Sequence, residues 1–456
     1  MSNIASTLRA AVVGSGPSGF YSAEALFRLT EFPFEVDVFD RLPVPYGLVR
    51  YGVAPDHQNI KAVIKTYEKT AANPKFAFFG NVELGRDVTL DDLRARYDLV
   101  FLATGCAADR HLGIAGEDLA GNYAATEFVA WYNGHPDYRD RSFPIEHSRA
   151  VVVGVGNVAM DVTRILLKNR DELAKSDIDE HALAALRATA VSEVVLLGRR
   201  GAAQAAFAPK EIKEIGDLAD VDLAVDPADA AASEAELAAA DVDAKKNVEY
   251  LLARAAAGPG TRPKRARLKM LASPVEVLGN NGRVAGVRIE RNRLIEKNGQ
   301  FAAVGTGVFE TIECGAVFRS IGYHGIAIPS VPFDAKLGRI PNHNGRVLAA
   351  SGGQVLQGVY CAGWIKRGPT GLVGTNKPDA QESVRMAAED LAAGAVTTGG
   401  KPSRDDIRAW LQAKGIRATN FADWKKLDAL EQERGRAAGK VRRKLVGTDE
   451  MLKALG

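Results

Sequence analysis

The chain has 456 residues, 46% hydrophobic and 25% charged, with a net charge of only +3. That is enough chain for two or three domains with full cores, in an ordinary globular composition. The small net charge argues against nucleic acid as the partner of the molecule as a whole.

Three widely spaced cysteines, Cys106, Cys314 and Cys361, form no Cys-x-x-Cys. A redox-active disulfide of that kind or a four-cysteine cluster within the chain is therefore excluded, and they read as buried reduced thiols of a cytosolic protein. No apolar run approaches the roughly 20 residues that cross a bilayer. The first strand-like run starts at Ala10, which leaves no room for a targeting peptide, so a cytoplasmic location is expected.

Ala10-Ala11-Val12-Val13 reads as a buried strand, and the turn Gly14-Ser15-Gly16-Pro17-Ser18-Gly19 follows it directly. A helix from Phe20 to about Leu29 and a strand Val36-Asp37-Val38-Phe39 ending in Asp40 complete a βαβ half in dinucleotide-binding register. In that register Gly14 permits the tight turn, Gly16 lets a pyrophosphate approach the backbone, and Gly19 lets helix pack on strand. Free N–H groups at the helix start hold the phosphates. Asp40 stands where an acid accepts from a ribose hydroxyl. The segment from Leu42 to His57 is dense in Pro and Gly, which predicts an irregular, functional loop. A helix is predicted around Ile60–Asn73, strands within Phe76–Leu84, and a buried strand over Asp98–Gly105. Phe128, Trp131 and Tyr132 share a predicted helix as core residues.

The pattern then recurs. Ala150-Val151-Val152-Val153 runs into Gly154-Val155-Gly156-Asn157-Val158-Ala159, with a helix predicted from Val158 through Leu167 and Ala159 in the small packing role. After a charged insertion, Lys168–Arg187, the strand Val194–Leu197 passes through Gly198 into Arg199-Arg200. Adjacent guanidiniums there give fork-like, charge-assisted hydrogen bonds to a 2′-phosphate. The second fingerprint is therefore assigned to NADP(H), and the first to a different dinucleotide. Residues 220–257, rich in Ala and Asp, read as exposed helices or a flexible excursion.

Arg262, Lys264, Arg265, Arg267 and Lys269 crowd one short run, which fits a solvated face or a docking site for an acidic protein. The basic end Lys440–Lys444 reads as solvated. Strands return at Val275–Leu278, Val284–Arg291 and Val317–Ile321, and from about Tyr323 the chain rejoins the first unit. The strand Gly358–Tyr360 enters a glycine-dense turn, Cys361–Asn376, whose N–H groups suit a flavin edge and whose Trp364 can cover a ring by stacking. Helices around Ile407–Leu411 and Trp424–Leu430 close the chain. Asp56-His57 and Asp161 are the candidate proton-handling groups, His57 because imidazole titrates near neutrality. The other histidines show no metal-ligand spacing, and no metal is expected.

Together, Gly14–Gly19, Pro45–His57 (PYGLVRYGVAPDH), Phe79–Val88 (FGNVELGRDV), Gly154–Asp161 (GVGNVAMD), Gly198–Phe207 (GRRGAAQAAF) and Gly363–Gly371 (GWIKRGPTG) resemble adrenodoxin reductase-type ferredoxin–NADP reductases over nearly the whole chain. The resemblance implies a glutathione reductase-like α/β architecture of two Rossmann-like dinucleotide-binding domains. An FAD domain of residues 1–108 and 324–456 would carry an inserted NADP domain of residues 109–323. It implies FAD contacts at Ser18, Asp40, Leu48, Leu84, Trp364, Gly371, Leu372 and Val373. It implies NADP contacts at Val155, Gly156, Asn157, Val158, Arg199, Arg200, Glu211 and Gly371. Lys213 and the Arg262–Lys269 cluster fall where the family offers basic charge to an acidic iron–sulfur partner.

The implied activity is hydride transfer from NADPH to FAD, then single-electron transfer to a ferredoxin- or adrenodoxin-like protein. The chain is expected to be a monomer with no nucleic-acid or membrane partner. Two departures stand out: Asp40 replaces the family's frequent Glu, and Ala202-Ala203 replace Pro-Leu, which is expected to loosen that turn. Two alternatives remain open on sequence. One is an NADPH-dependent flavoprotein serving another acceptor, glutamate synthase-like or an oxygenase. The other is a non-catalytic FAD/NADP-binding protein.

Overall fold

A computed structural model describes residues 7–297 and 299–456. The chain first lays down β1 (Leu8–Val13), β2 (Phe34–Asp40), β3 (Phe76–Gly80) and β4 (Leu99–Leu102), and leaves through the short β5 (Ala108–Asp109). It then builds β6 (Asn122–Ala124), β7 (Arg149–Val153), β8 (Glu193–Leu197), β9 (Val221–Val225) and β10 (Lys264–Lys269). An antiparallel set follows, β11 (Ala272–Asn280), β12 (Arg283–Lys297) and β13 (Gln300–Glu313), and β14 (Ala316–Arg319) returns to the second sheet. The chain crosses back through β15 (Tyr323–His324) and ends its sheets with β16 (Asn342–His343), β17 (Arg346–Leu348) and β18 (Val355–Cys361).

The first sheet has the order β16-β17-β18-β4-β1-β2-β3, and the second β6-β14-β7-β8-β10-β9. The second is parallel throughout, and the first is parallel from β18 to β3. Parallel strands covered on both faces need continuous apolar runs; β1 and β4 are buried along their whole length. In each sheet the strand order reverses at the strand that carries a glycine fingerprint, β1 in one and β7 in the other. Ligands of open α/β sheets bind at such switch points, outside the carboxyl ends of the strands. The two crossings pair with each other, Asp109 opposite Tyr323 and Ala108 opposite His324. Arg319 at the end of β14 fastens them with a 3.0 Å bond to Asp109.

Several predicted elements change. The Pro/Gly loop contains a single helical turn, Leu48–Tyr51, entered through Tyr46 and Gly47 at positive φ (90° and 47°). The helix expected over Ile60–Asn73 divides into Gln58–Lys61 and Ile64–Ala71, and the strand expected to reach Leu84 stops at Gly80. The charged insertion forms two helices, Arg170–Ala174 and Glu180–Arg187. Residues 220–257 open with β9, the edge of the second sheet, before the helices Pro227–Ala230, Glu234–Ala239 and Val242–Ala257. Asp222 disguised that strand: it is buried and accepts the Arg262 backbone N–H at 2.6 Å.

The basic end is not solvated. Lys440 and Lys444 are buried, and Lys440 donates to the carbonyl of Ile178 at 2.9 Å. Trp424, on the C-terminal helix Phe421–Ala437, is also buried and donates its indole N–H to Tyr46. Among the described residues no helix is long and apolar enough to cross a membrane.

Candidate functional site

Gly14 leaves β1 at φ +105°, and a Cβ there would strike the carbonyl of Ala103. The helix Pro17–Phe27 begins at Gly16 with proline in its first turn, no side-chain cap and no acid in that turn. Its first N–H groups therefore remain available to a phosphate. Asp40, at the end of β2, accepts from Ser15 N at 2.9 Å and Ser15 Oγ at 2.5 Å on one oxygen, and from Leu42 N at 2.9 Å on the other. The shorter acid thus ties the glycine turn to β2 and keeps a lone pair for a ribose hydroxyl.

At the end of β18, Gly363 turns at φ +78° against Ser18, whose hydroxyl donates to Asn376 at 3.1 Å. Trp364 is half-buried, donates to the Thr370 carbonyl, and lies 5.4 Å from the Tyr323 ring. Gly371, with Arg367 and Asp379, lines a cleft of about 700 Å³, and Leu372 is 59% exposed beside half-buried Val373. Leu48 is exposed, whereas Leu84 is buried in the core with Val13, Phe39 and Cys361. Thr104 Oγ1, just past β4, is buried without a hydrogen-bond partner, which a bound polar group would satisfy. The open helix start, the orphaned hydroxyl and the two positive-φ glycines fit a flavin dinucleotide laid along the ends of β1, β2, β4 and β18.

The second fingerprint has the same construction. Gly154 stands at φ +127° against the Ser320 carbonyl, and Ala159 is fully buried. The helix Asn157–Leu167 starts without a side-chain cap or acid, and a Cβ on Gly156 would meet nothing within 4 Å. Val155 O and Asn157 Oδ1 accept from Ala206 N and Ala208 N, pinning that segment beside the turn, and half-buried Val158 packs on the core. Arg199 is exposed and Arg200 half-buried; among the described residues neither guanidinium makes a hydrogen bond or ion pair. Two uncommitted arginines after β8 fit a 2′-phosphate. The turn expected to loosen is closed instead: Ala202 and Ala203 are buried in a 3-10 turn capped by Gln204, which accepts from Gly201 N.

Between the two sheets lies a charged seam. His57 is buried, with Nε2 2.6 Å from Glu214 and Nδ1 3.7 Å from Asp161. Arg164 holds Asp56 through two bonds of 2.9 and 3.0 Å and Asp161 through one of 2.7 Å; Lys168 adds another to Asp56. Burial pushes the Asp161 carboxyl up against the pull of Arg164 and His57, and pushes Glu211 up with help from Asp161. Burial acts the same way on Asp56, but the Arg164 and Lys168 partners outweigh it and hold that carboxyl well below its usual range. Arg164 Nη1 and Glu211 Oε2 are both buried without a hydrogen bond, 3.7 Å apart. Glu211 thus has acceptor capacity to offer a cofactor at this seam.

Residues 8–217 match the family model of pyridine nucleotide-disulphide oxidoreductases. The NADPH-ferredoxin reductase FprA of Mycobacterium leprae (strain TN) is 42% identical over 450 residues, covering 97% of each chain. The chain belongs to the NADPH–ferredoxin/adrenodoxin reductase family. The mitochondrial NADPH:adrenodoxin oxidoreductase of Bos taurus is likewise 42% identical over 456 residues, 98% of this chain and 91% of that one. The solved structure of Mycobacterium tuberculosis FprA in complex with NADPH superposes with a TM-score of 0.93 at 42% identity, over 99% of this chain and 100% of the other.

The disulphide in the family model's name has no counterpart here. All three cysteines are free and buried. Burial pushes Cys106 and Cys314 up to about 12 and Cys361 further still, which suppresses their thiolates. Within this reductase fold, sequence reasoning found His57, Asp161 and Glu211 but missed Glu214, Arg164 and Lys168. Glu214 lies three residues after Glu211 on the helix Pro209–Gly216, hence on the same face; that spacing was the one available signal.

The Arg262–Lys269 cluster is not a free basic face. Arg262 donates to the carbonyls of Gly216, Leu218 and Val221, and Lys264 to that of Leu167. From Lys264 the run is β10, an inner strand of the second sheet, and alternation leaves Arg267 exposed and paired with Glu193. Arg265 is half-buried, while Lys213 is exposed on the helix that carries Glu211 and Glu214.

Proposed function

We propose that this chain is an FAD-dependent ferredoxin–NADP⁺ reductase that draws on NADPH and serves an acidic iron–sulfur protein. FAD, when bound, takes a hydride from NADPH and gives up electrons singly, the conversion a one-electron acceptor needs. The chain's own part is position and electrostatics. The free N–H groups after Gly14 and Gly16 hold one pyrophosphate and those after Gly154 and Gly156 the other. Arg199 and Arg200 select the 2′-phosphate, Glu211 accepts from the nicotinamide end, and Trp364 covers the ring site. His57 and Asp161, joined by Glu214, hold protons at the seam where the two sites meet.

The observation that carries this reading is the pair of switch-point fingerprints with unlike ends, Asp40 bound to its own turn and the Arg199 and Arg200 guanidiniums without partners among the described residues. The domain division belongs to the same proposal: an FAD unit of residues 1–108 and 324–456 and an NADP unit of 109–323, supported by the pairing of β5 with β15. A cytoplasmic location fits three reduced, buried thiols. Lys213 and Arg267 are the remaining basic candidates for partner docking. The test is anaerobic stopped-flow: NADPH bleaches the flavin, and a [2Fe–2S] or [4Fe–4S] ferredoxin then restores its colour. A flavin that NADPH leaves unbleached overturns the proposal.

A further inference from the structure

We infer that Asp177 and the tail residue Lys444 are positioning residues that set His57 against Glu214 across the seam, an assignment that rests on the reductase reading above. Asp177 belongs to the second unit, in the loop between the helices Arg170–Ala174 and Glu180–Arg187. It grips the His57 loop on both flanks. Its backbone N–H donates to the Pro55 carbonyl at 3.4 Å, two residues before His57. Its carboxylate takes both short bonds from Lys61, at 2.7 and 2.8 Å, four residues after His57. Lys61 ends the single turn that begins at His57, and its own amide donates to the His57 carbonyl at 3.1 Å. A shift of Asp177 therefore moves the backbone that carries the imidazole.

Asp177 is itself held by the C-terminal tail. Lys444 Nζ lies 3.5 Å from its carboxylate and donates to the carbonyls of Asn133 at 2.9 Å and Arg50 at 3.2 Å, one in each unit. Just before it, Val441 N donates to Lys175 O, and Lys440 donates to Ile178 O and to Glu180 at 2.5 Å. The tail thus pins the 175–180 segment at four points. Asp177, Lys61 and Lys444 are all buried, and burial draws both lysines down while Asp177 pulls them back up. Two buried ammonium groups around one carboxylate is a poor arrangement for stability alone, since an apolar replacement of buried ions is often neutral or better. What the arrangement does supply is a single fixed register between the units, and misplacing a group by an ångström can cost a reaction orders of magnitude.

The test is a double-mutant cycle with a readout that needs no turnover. Lys444→Met fills the lysine stem and removes the charge. Flavin content is expected to stay unchanged, and the rate of flavin reduction by NADPH to fall about tenfold. In a Glu214→Gln background the further loss is expected to stay below about twofold, because both changes act on one contact. In protein labelled with [15N]histidine and free of NADPH, the His57 ring resonance, identified by its loss in His57→Gln, is expected to move in Lys444→Met.

Unchanged rate and resonance, or losses that simply multiply, overturn the assignment. If Lys444→Met does not retain flavin, Lys440→Met, which loosens the same tail, is expected to give the same non-additive pattern at about threefold, and additivity there also overturns it. Failure of the reductase reading is distinct: the wild-type flavin would not bleach, while the resonance shift would remain measurable.

Discussion

His57 Nε2 and Glu214 Oε2 lie 2.6 Å apart although 157 residues separate them in the chain. A carboxylate can only accept, so the imidazole N–H is the donor. Burial acts to raise the Glu214 carboxyl, but the His57 bond and charge, with Arg164, hold it below its usual range. The loop that follows β2 and the helix Pro209–Gly216 therefore share one charged hydrogen bond. Around it stand Asp56, Asp161, Arg164, Lys168 and Glu211, so the seam is held by a network of buried and half-buried ion pairs.

Removing the charge from that bond is expected to slow the first half-reaction selectively. Glu214→Gln keeps an acceptor oxygen and removes the charge. Flavin reduction by NADPH is expected to slow by about one to two orders of magnitude, with flavin content unchanged. Stopped-flow absorbance of the flavin reads it; an unaltered rate would show that the contact has no part in the reaction.

The open space over Gly156 makes a test of the second site. A Cβ there meets no protein atom, and Gly156 already has the extended conformation of an N-cap, φ −105° and ψ 177°. Gly156→Ala is expected to change unfolding by no more than about 1 kcal/mol, yet to weaken NADPH by at least about tenfold, because the methyl occupies the phosphate's approach. Calorimetric titration with NADP⁺ measures the second quantity. Equal affinity in the two proteins would move the phosphate elsewhere.

On the proposed reading, Arg199 and Arg200 govern the choice of nucleotide. Each lost charge-assisted hydrogen bond costs about 1.5–3 kcal/mol, so replacing both with alanine is expected to raise KM for NADPH by about two to four orders of magnitude. KM for NADH, which has no 2′-phosphate, is expected to stay within about threefold. Parallel losses with the two nucleotides count against the assignment.

What could be read from the chain follows from how local each signal is. The two fingerprints, their strands and the Arg199-Arg200 pair lie within single βαβ units, where hydrophobic period and glycine spacing speak directly. The seam is legible only in part: His57 and Asp161 carry signals of their own, whereas Arg164, Glu214, Asp177 and Lys444 lie on separate segments joined to them only by folding. Strand β9 was hidden by Asp222, whose burial depends on an Arg262 amide forty residues away. The Lys440–Lys444 run looked solvated because buried lysines need partners no local pattern reveals.

Glu211 supplies a pH signature. Its folded carboxyl is raised, so the folded state prefers the proton. Stability from that preference is present below the ordinary carboxyl range, ~4, and is lost as pH rises through the raised folded value. Glutamine cannot ionise and avoids that loss. Glu211→Gln is expected to raise the melting temperature of the nucleotide-free protein more at pH 8 than at pH 5, while weakening NADPH. Calorimetry at the two pH values checks the sign; an advantage that is greater at pH 5 would contradict it.

On the proposed reading, the partner surface is separable from the Arg262–Lys269 run. Arg262 serves three backbone carbonyls of the second unit, so Arg262→Ala is expected to cost about 1–3 kcal/mol of stability and to leave KM for ferredoxin within about twofold. Lys213 is exposed and lies on the helix that carries Glu211 and Glu214. Lys213→Glu is expected to leave the melting temperature nearly unchanged, to raise KM for an acidic ferredoxin several-fold at low salt, and to lose that effect as screening shortens near ~0.5 M salt. Reduction of a neutral dye should respond to neither substitution. If Arg262→Ala weakens ferredoxin reduction in step with salt while Lys213→Glu does not, the docking charge belongs to the segment entering β10 after all, and the carbonyl partners of Arg262 must release the guanidinium when the partner arrives.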